Sequence, residues 1–128
     1  MRAEVVAVAG ALALVAGEGK ADVGALYFSD RTGSYGAAWG FTNQDAAENE
    51  AYNQCAAGGA PDCIGIFFEN SCGAIARDDQ GYMSASWGPG YSAEGAAVAL
   101  CQNQGGYNCQ TIVSLCSHGG LLEYDYQR

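Results

Sequence analysis

Residues 23–29 and 34–40 are two short runs of apolar and small residues with a polar turn between them, and each reads as a strand. Between them Asp30-Arg31-Thr32-Gly33 places Asp first and Gly fourth, the pattern of a type I turn with glycine in the left-handed region. On the second strand Tyr35, Ala37 and Trp39 share a face. The period then lengthens. Ala47, Ala51 and Cys55 form the apolar stripe of a helix lying close to a sheet, with Glu48, Asn49 and Gln54 on its outer side. Thr42 is the expected N-cap, and Asp45 suits the first turn. Two glycines and a proline in residues 56–61 stop the helix, and Ile64-Gly65-Ile66-Phe67-Phe68 reads as a buried strand. The unit is β-β-α-β.

The same order then returns. Gly73-Ala74 repeats Gly24-Ala25, Asp78-Asp79-Gln80-Gly81 repeats the turn ending in Gly33, and Trp87-Gly88 repeats Trp39-Gly40. Ala93, Ala97 and Cys101 repeat the helical stripe, and Cys109 repeats Cys63. In the second copy Met83, Ala85 and Trp87 stand where Tyr35, Ala37 and Trp39 stood. Pro89-Gly90-Tyr91 lengthens the loop before Ser92, which caps a shorter helix ending near Cys101. Gly105-Gly106 stops it, and residues 109–116 form the last strand, with Ile112, Val113 and Leu115 for the core. Repeat one is thus 23–70, repeat two 72–116, and 117–128 is a tail. The fold expected is α+β: tandem duplicated ββαβ units with pseudo-two-fold symmetry, antiparallel sheets packed together and two helices outside. Residues kept in both copies serve a shared scaffold, so Trp39, Trp87, Gly33 and Gly81 are assigned to it, the tryptophans as core or hairpin–helix packing.

The N-terminus changes the picture of the compartment. Met1-Arg2 is a minimal positive region, residues 5–17 are an unbroken run of Val, Ala, Leu and Gly, and Ala21 supplies a small residue for cleavage. This reads as a secretory signal peptide over 1–21, leaving a single domain over 22–128. The run is shorter than the roughly 20 residues that span a bilayer, so no membrane insertion is expected once it is removed. Six cysteines in so small a chain fit a disulfide framework in an oxidising compartment. Cys55 and Cys63 stand at the same spacing, and between the same elements, as Cys101 and Cys109. Each pair is expected to close its own helix-to-strand loop, which leaves Cys72 with Cys116. Because that last pair brackets the second unit, strands exchanged between the sheets are compatible with the pattern.

A strand opened by Gly-Ala, Trp-Gly before an alanine-rich helix, a cysteine closing that helix, and Asn70-Ser71-Cys72-Gly73-Ala74 joining the halves form a signature. It resembles a small exported bacterial family, domain of unknown function 4189. The resemblance spans residues 24–116 and implies secretion, a duplicated ββαβ plan and disulfides. It brings no activity and no catalytic set. The shorter second helix and the Leu/Tyr tail depart from the family pattern.

Charge narrows the partners. The net charge is −9, and phosphate backbones and anionic membranes call for the opposite sign, so nucleic acid is not expected. A basic protein partner or a neutral glycan remains compatible. The chain has one histidine, His118, in Cys116-Ser117-His118, which is too little for a zinc site or a histidine-based hydrolase. Asp78-Asp79 and Asp30 read as turn chemistry rather than as glycosidase or calcium-binding carboxylates. No cofactor and no metal are expected. Trp39 and Trp87 with Tyr35, Tyr82 and Tyr91 offer an aromatic platform as the alternative to packing. Leu122, Tyr124 and Tyr126 alternate with acids, as either an extra edge strand or a frayed tail. The candidate binding surface is Tyr91, Tyr124 and Tyr126. The leading expectation is an exported, non-enzymatic protein-binding module, an inhibitor, immunity factor or host-directed effector, in the medium, periplasm or envelope. The alternatives are a small envelope hydrolase using carboxylates and a structural envelope component.

Overall fold

An alanine-rich side facing the helix and a side with Leu, Phe or Ile facing the other sheet determine how each central strand stacks. In strand β1 (Val23–Phe28), Val23, Ala25 and Tyr27 face one way, and Leu26 and Phe28 face the other. Strand β2 (Tyr35–Phe41), helix α1 (Gln44–Ala57) and strand β3 (Ile64–Glu69) complete the first half. Strands β4 (Cys72–Arg77) and β5 (Met83–Gly88), helix α2 (Ser92–Asn103), strand β6 (Gln110–Cys116) and the two-residue strand β7 (Gly120–Leu121) make the second. The computed structural model describes residues 22–117 and 120–121. The expected signal peptide, His118, Tyr124 and Tyr126 lie outside the described residues.

The molecule is α+β, with two wholly antiparallel sheets ordered β2-β1-β3 and β5-β4-β6-β7. Leu26, Phe28 and Phe68 of the first sheet pack on Ile75, Met83, Val113 and Leu115 of the second. Alanines do the outer packing. Ala47 and Ala51 of α1 lie on Val23, Ala25 and Ala38, and Ala93, Ala97 and Cys101 of α2 lie on Cys72, Ala74 and Ala76. The layers therefore run α1, first sheet, second sheet, α2. Strands are not exchanged between the sheets, contrary to the variant that the Cys72–Cys116 bracket allowed. Each sheet takes consecutive strands, because that disulfide joins directly opposed residues of β4 and β6 within one sheet. Cys55–Cys63 and Cys101–Cys109 each close a helix-to-strand loop.

Two glycines allow the sheets to meet. A Cβ on Gly24 would lie 2.6 Å from the Phe68 ring, and one on Gly73 would strike the same ring from its other edge. Phe68 fills the space that both positions leave empty, which accounts for the Gly-Ala that opens both strands. Gly33 and Gly81 close the hairpin turns with φ of 79° and 99°, a region that side chains with a Cβ avoid.

Several local expectations are corrected. Helix α1 is capped by Asn43, whose side chain accepts from the Ala46 N–H at 2.8 Å, not by Thr42. Helix α2 starts after Tyr91 with no side-chain cap and runs past Cys101 to Asn103, while the Ser92 hydroxyl donates back to the Pro89 carbonyl. Strand β3 is fully buried only at Phe68: Ile64 is 62% and Phe67 38% exposed, because β3 is an outermost strand of its sheet. The turns also align differently. Ser29 and Asp78 are the buried residues that follow β1 and β4, so Ser29, rather than Asp30, occupies the place of Asp78. Ser29 N–H donates to the Ser34 carbonyl as Asp78 N–H donates to Tyr82, and Asp30 is one residue more in the first turn.

Candidate functional site

The expected scaffold tryptophans stand out at the surface. Trp39 is 44% and Trp87 58% exposed, so neither is a core residue. The cause is positional. Both lie on the sheet-facing side of a strand, but β2 and β5 are outermost strands, so the indoles reach the rim of the sandwich instead of its interior. Trp87 pairs with Gly73, and Trp39 falls where the β1–β2 register shifts between Val23 and Ala25. Both tryptophans thus flank the strand starts, at the end of the molecule where Ser71 and Ser117 exchange hydrogen bonds.

The wider platform does not assemble as one patch. Tyr35 and Tyr82 are 42% and 49% exposed but lie at the opposite, hairpin end. Tyr35 lies four residues before Trp39 along the strand, about 13 Å of rise. Tyr91, 43% exposed, follows Trp87 at the same end, so one pair of the expected aromatics is brought close along the chain. Sequence reasoning missed Ile64, Phe67 and Tyr107, the last 73% exposed in the loop before β6. No signal in the sequence marked β3, because an apolar run reads alike in a central strand and at a sheet edge.

At the hairpin end the carboxylates are structural. Asp78 Oδ1 accepts the N–H groups of Gln80 and Tyr82, both at 2.8 Å, and Oδ2 accepts that of Tyr107 at 3.0 Å. Burial disfavours its charge, but the donors at Tyr107, Tyr82, Gln80 and Gly81 outweigh burial and hold the carboxyl below its ordinary value. A general acid needs the opposite shift. Asp79 accepts from the Asn108 amide at 2.8 Å, and in the first half Ser29 donates to Asp62 at 2.7 Å, so both turns are pinned to the following helix-to-strand loop. Ser114, buried beneath α2, donates to Glu94 at 2.7 Å. On the outer face Tyr27 packs edge-on to Tyr52, and burial followed by the charge of Glu48 raises its hydroxyl above the ordinary range. Among the described residues no group of three or more His, Cys, Asp or Glu is placed to hold a metal ion, and no helix is long and apolar enough to cross a membrane.

The strand edges differ in how their outward backbone groups are met. On β2 the Ala37 N–H donates to Gln54 Oε1 at 2.9 Å and the Gly40 N–H to the Ser117 carbonyl at 2.7 Å. On β5 the Met83 N–H donates to Asp30 Oδ1 at 2.7 Å. The outer side of β6 is paired by β7. Strand β3 pairs with β1 alone.

Residues 23–116 match the family described as Domain of unknown function (DUF4189). Neither a curated protein nor a solved structure matches the chain.

Proposed function

The chain belongs to the family described as Domain of unknown function (DUF4189), a description that names no activity, and from its surface we propose that it is a non-enzymatic protein-binding module acting outside the reducing cytoplasm. The observation that carries this reading is the exposure of Trp39 and Trp87 on rim strands. Large aromatics anchor interfaces because they bury much area at little entropic cost, and a monomer gains nothing by leaving them wet. Three disulfides suit an oxidising setting. With a net charge of −9, a basic protein surface is the favoured counterpart. The inhibitor, immunity and effector roles all fall within this class.

A tandem duplication with a pseudo-two-fold axis between the sheets belongs to the same proposal. The sheets share the order second-first-last strand, and each helix lies on the outer face of its own sheet. Under this reading, the aromatic rim is a pair of related positions, one per copy.

The test is affinity capture from culture and envelope proteins with the oxidised protein, compared with Trp39→Ala, Trp87→Ala and the reduced chain. The expected result is one partner retained by the oxidised wild type and lost from folded tryptophan variants. Loss of folding in Trp87→Ala, read by circular dichroism, would return that residue to the scaffold. A partner held equally by all variants would remove the tryptophans from the interface.

A further inference from the structure

We propose that the open side of β3 accepts an extended segment of a partner protein, apolar in its middle and cationic at its ends, as an added antiparallel strand. This rests on the reading of the protein as a binding module and names the chemistry of what it binds. Register identifies the free groups. Asn70 N–H donates to the Asp22 carbonyl, so the directly opposed pairs Gly24–Phe68, Leu26–Ile66 and Phe28–Ile64 are also the hydrogen-bonded ones. The N–H and C=O groups of Gly65, Phe67 and Glu69 therefore point away from β1. All three residues are exposed, and among the described residues no side chain, loop or strand meets these groups.

The contrast with the other edges makes this a feature rather than a default. On β2 and β5 an outward backbone group is met by Gln54, Ser117 or Asp30, and the outer side of β6 is paired by β7. An unprotected edge is a template for pairing, and proteins ordinarily block it with charge or cover. Strand β3 instead presents Ile64 and Phe67. Strand β5 lies against β3 from the second sheet, so a strand added there extends the first sheet along the side that carries Trp87.

Charge selects the occupant. The apolar stretch from Ile64 to Phe68 is bracketed by the exposed acids Asp62 and Glu69, and the only cations among the described residues are Arg31 and Arg77. A strand with Lys or Arg at both ends places opposite charges against both acids. A second copy would bring the same acids and another −9. Main-chain pairing supplies affinity in such an arrangement, and the alternating side chains supply selectivity.

The experiment is amide hydrogen exchange by NMR on the full oxidised chain with a synthetic probe, Lys-Lys-Val-Thr-Val-Thr-Val-Thr-Lys-Lys, and a twin in which Glu replaces every Lys. The Lys-flanked probe should slow exchange at Gly65, Phe67 and Glu69 by about tenfold or more while leaving Ala37 and Met83 unchanged. The effect should weaken with added salt. Phe67→Lys, at an exposed position, should keep the melting temperature and lose the protection. Unchanged exchange at the three amides overturns the inference, as does equal protection by the Glu-flanked twin. Protection that grows with protein concentration in the absence of probe overturns it in favour of a second copy. If the tryptophan variants lose a captured partner while the probe leaves β3 unprotected, the binding function stands and the edge inference falls. If the probe protects β3 and capture returns nothing, the edge inference stands alone.

Discussion

Two residues decide more than their size suggests. Phe68 is buried against Gly24 and Gly73, so a methyl group at either glycine must displace a ring confined from both sides. Gly73→Ala and Gly24→Ala should each cost roughly 1–3 kcal/mol, read by urea unfolding. Gly95 is the contrast. On exposed α2 its Cβ would meet nothing within 4 Å, so Gly95→Ala should stabilise by about 0.5–1 kcal/mol through helix propensity. Asp78 makes the pH prediction. Its folded pKa is depressed, so its contribution is present above the unfolded value near 3.8 and is lost as pH falls through the folded one. Asp78→Asn should melt lower than wild type at neutral pH, and the two should converge in acid. A gap that persists unchanged at low pH would assign the effect to shape rather than charge.

At the level of elements, period and punctuation were enough to read strands, helices and the alanine stripes. Cap identity was not, because Thr42, Asn43 and Ser92 are all good caps and tertiary placement chooses among them. Burial of β3 was misread for a related reason. A run such as Ile64–Phe68 looks alike in a central strand and at an edge, and only the sheet order reveals its position. The tryptophans failed the same way: recurrence in both halves is compatible with scaffold and with rim. Cross-links act on elements too. Chain entropy gives about 2.5 kcal/mol for each bridge of separation 8 and about 4 kcal/mol for the one of separation 44. Replacing Cys72 and Cys116 together by Ala should therefore lower stability more than replacing Cys55 with Cys63, measured by denaturant midpoint.

Across the whole molecule, each disulfide lies inside one half: Cys55–Cys63 in the first, Cys101–Cys109 and Cys72–Cys116 in the second. Contacts between halves are noncovalent, chiefly the core around Leu26, Phe68 and Ile75 with the Asp30–Met83 and Gly40–Ser117 hydrogen bonds. The peptide joining them passes through Asn70, exposed and at a φ of 50°. A single protease cut at that junction would thus turn one polypeptide into a two-chain heterodimer. It would run as two fragments on a denaturing gel even without reductant, yet elute as one species from a native column. Stability of the cut form would then depend on dilution, so the linker sets whether the molecule ages by unfolding or by coming apart.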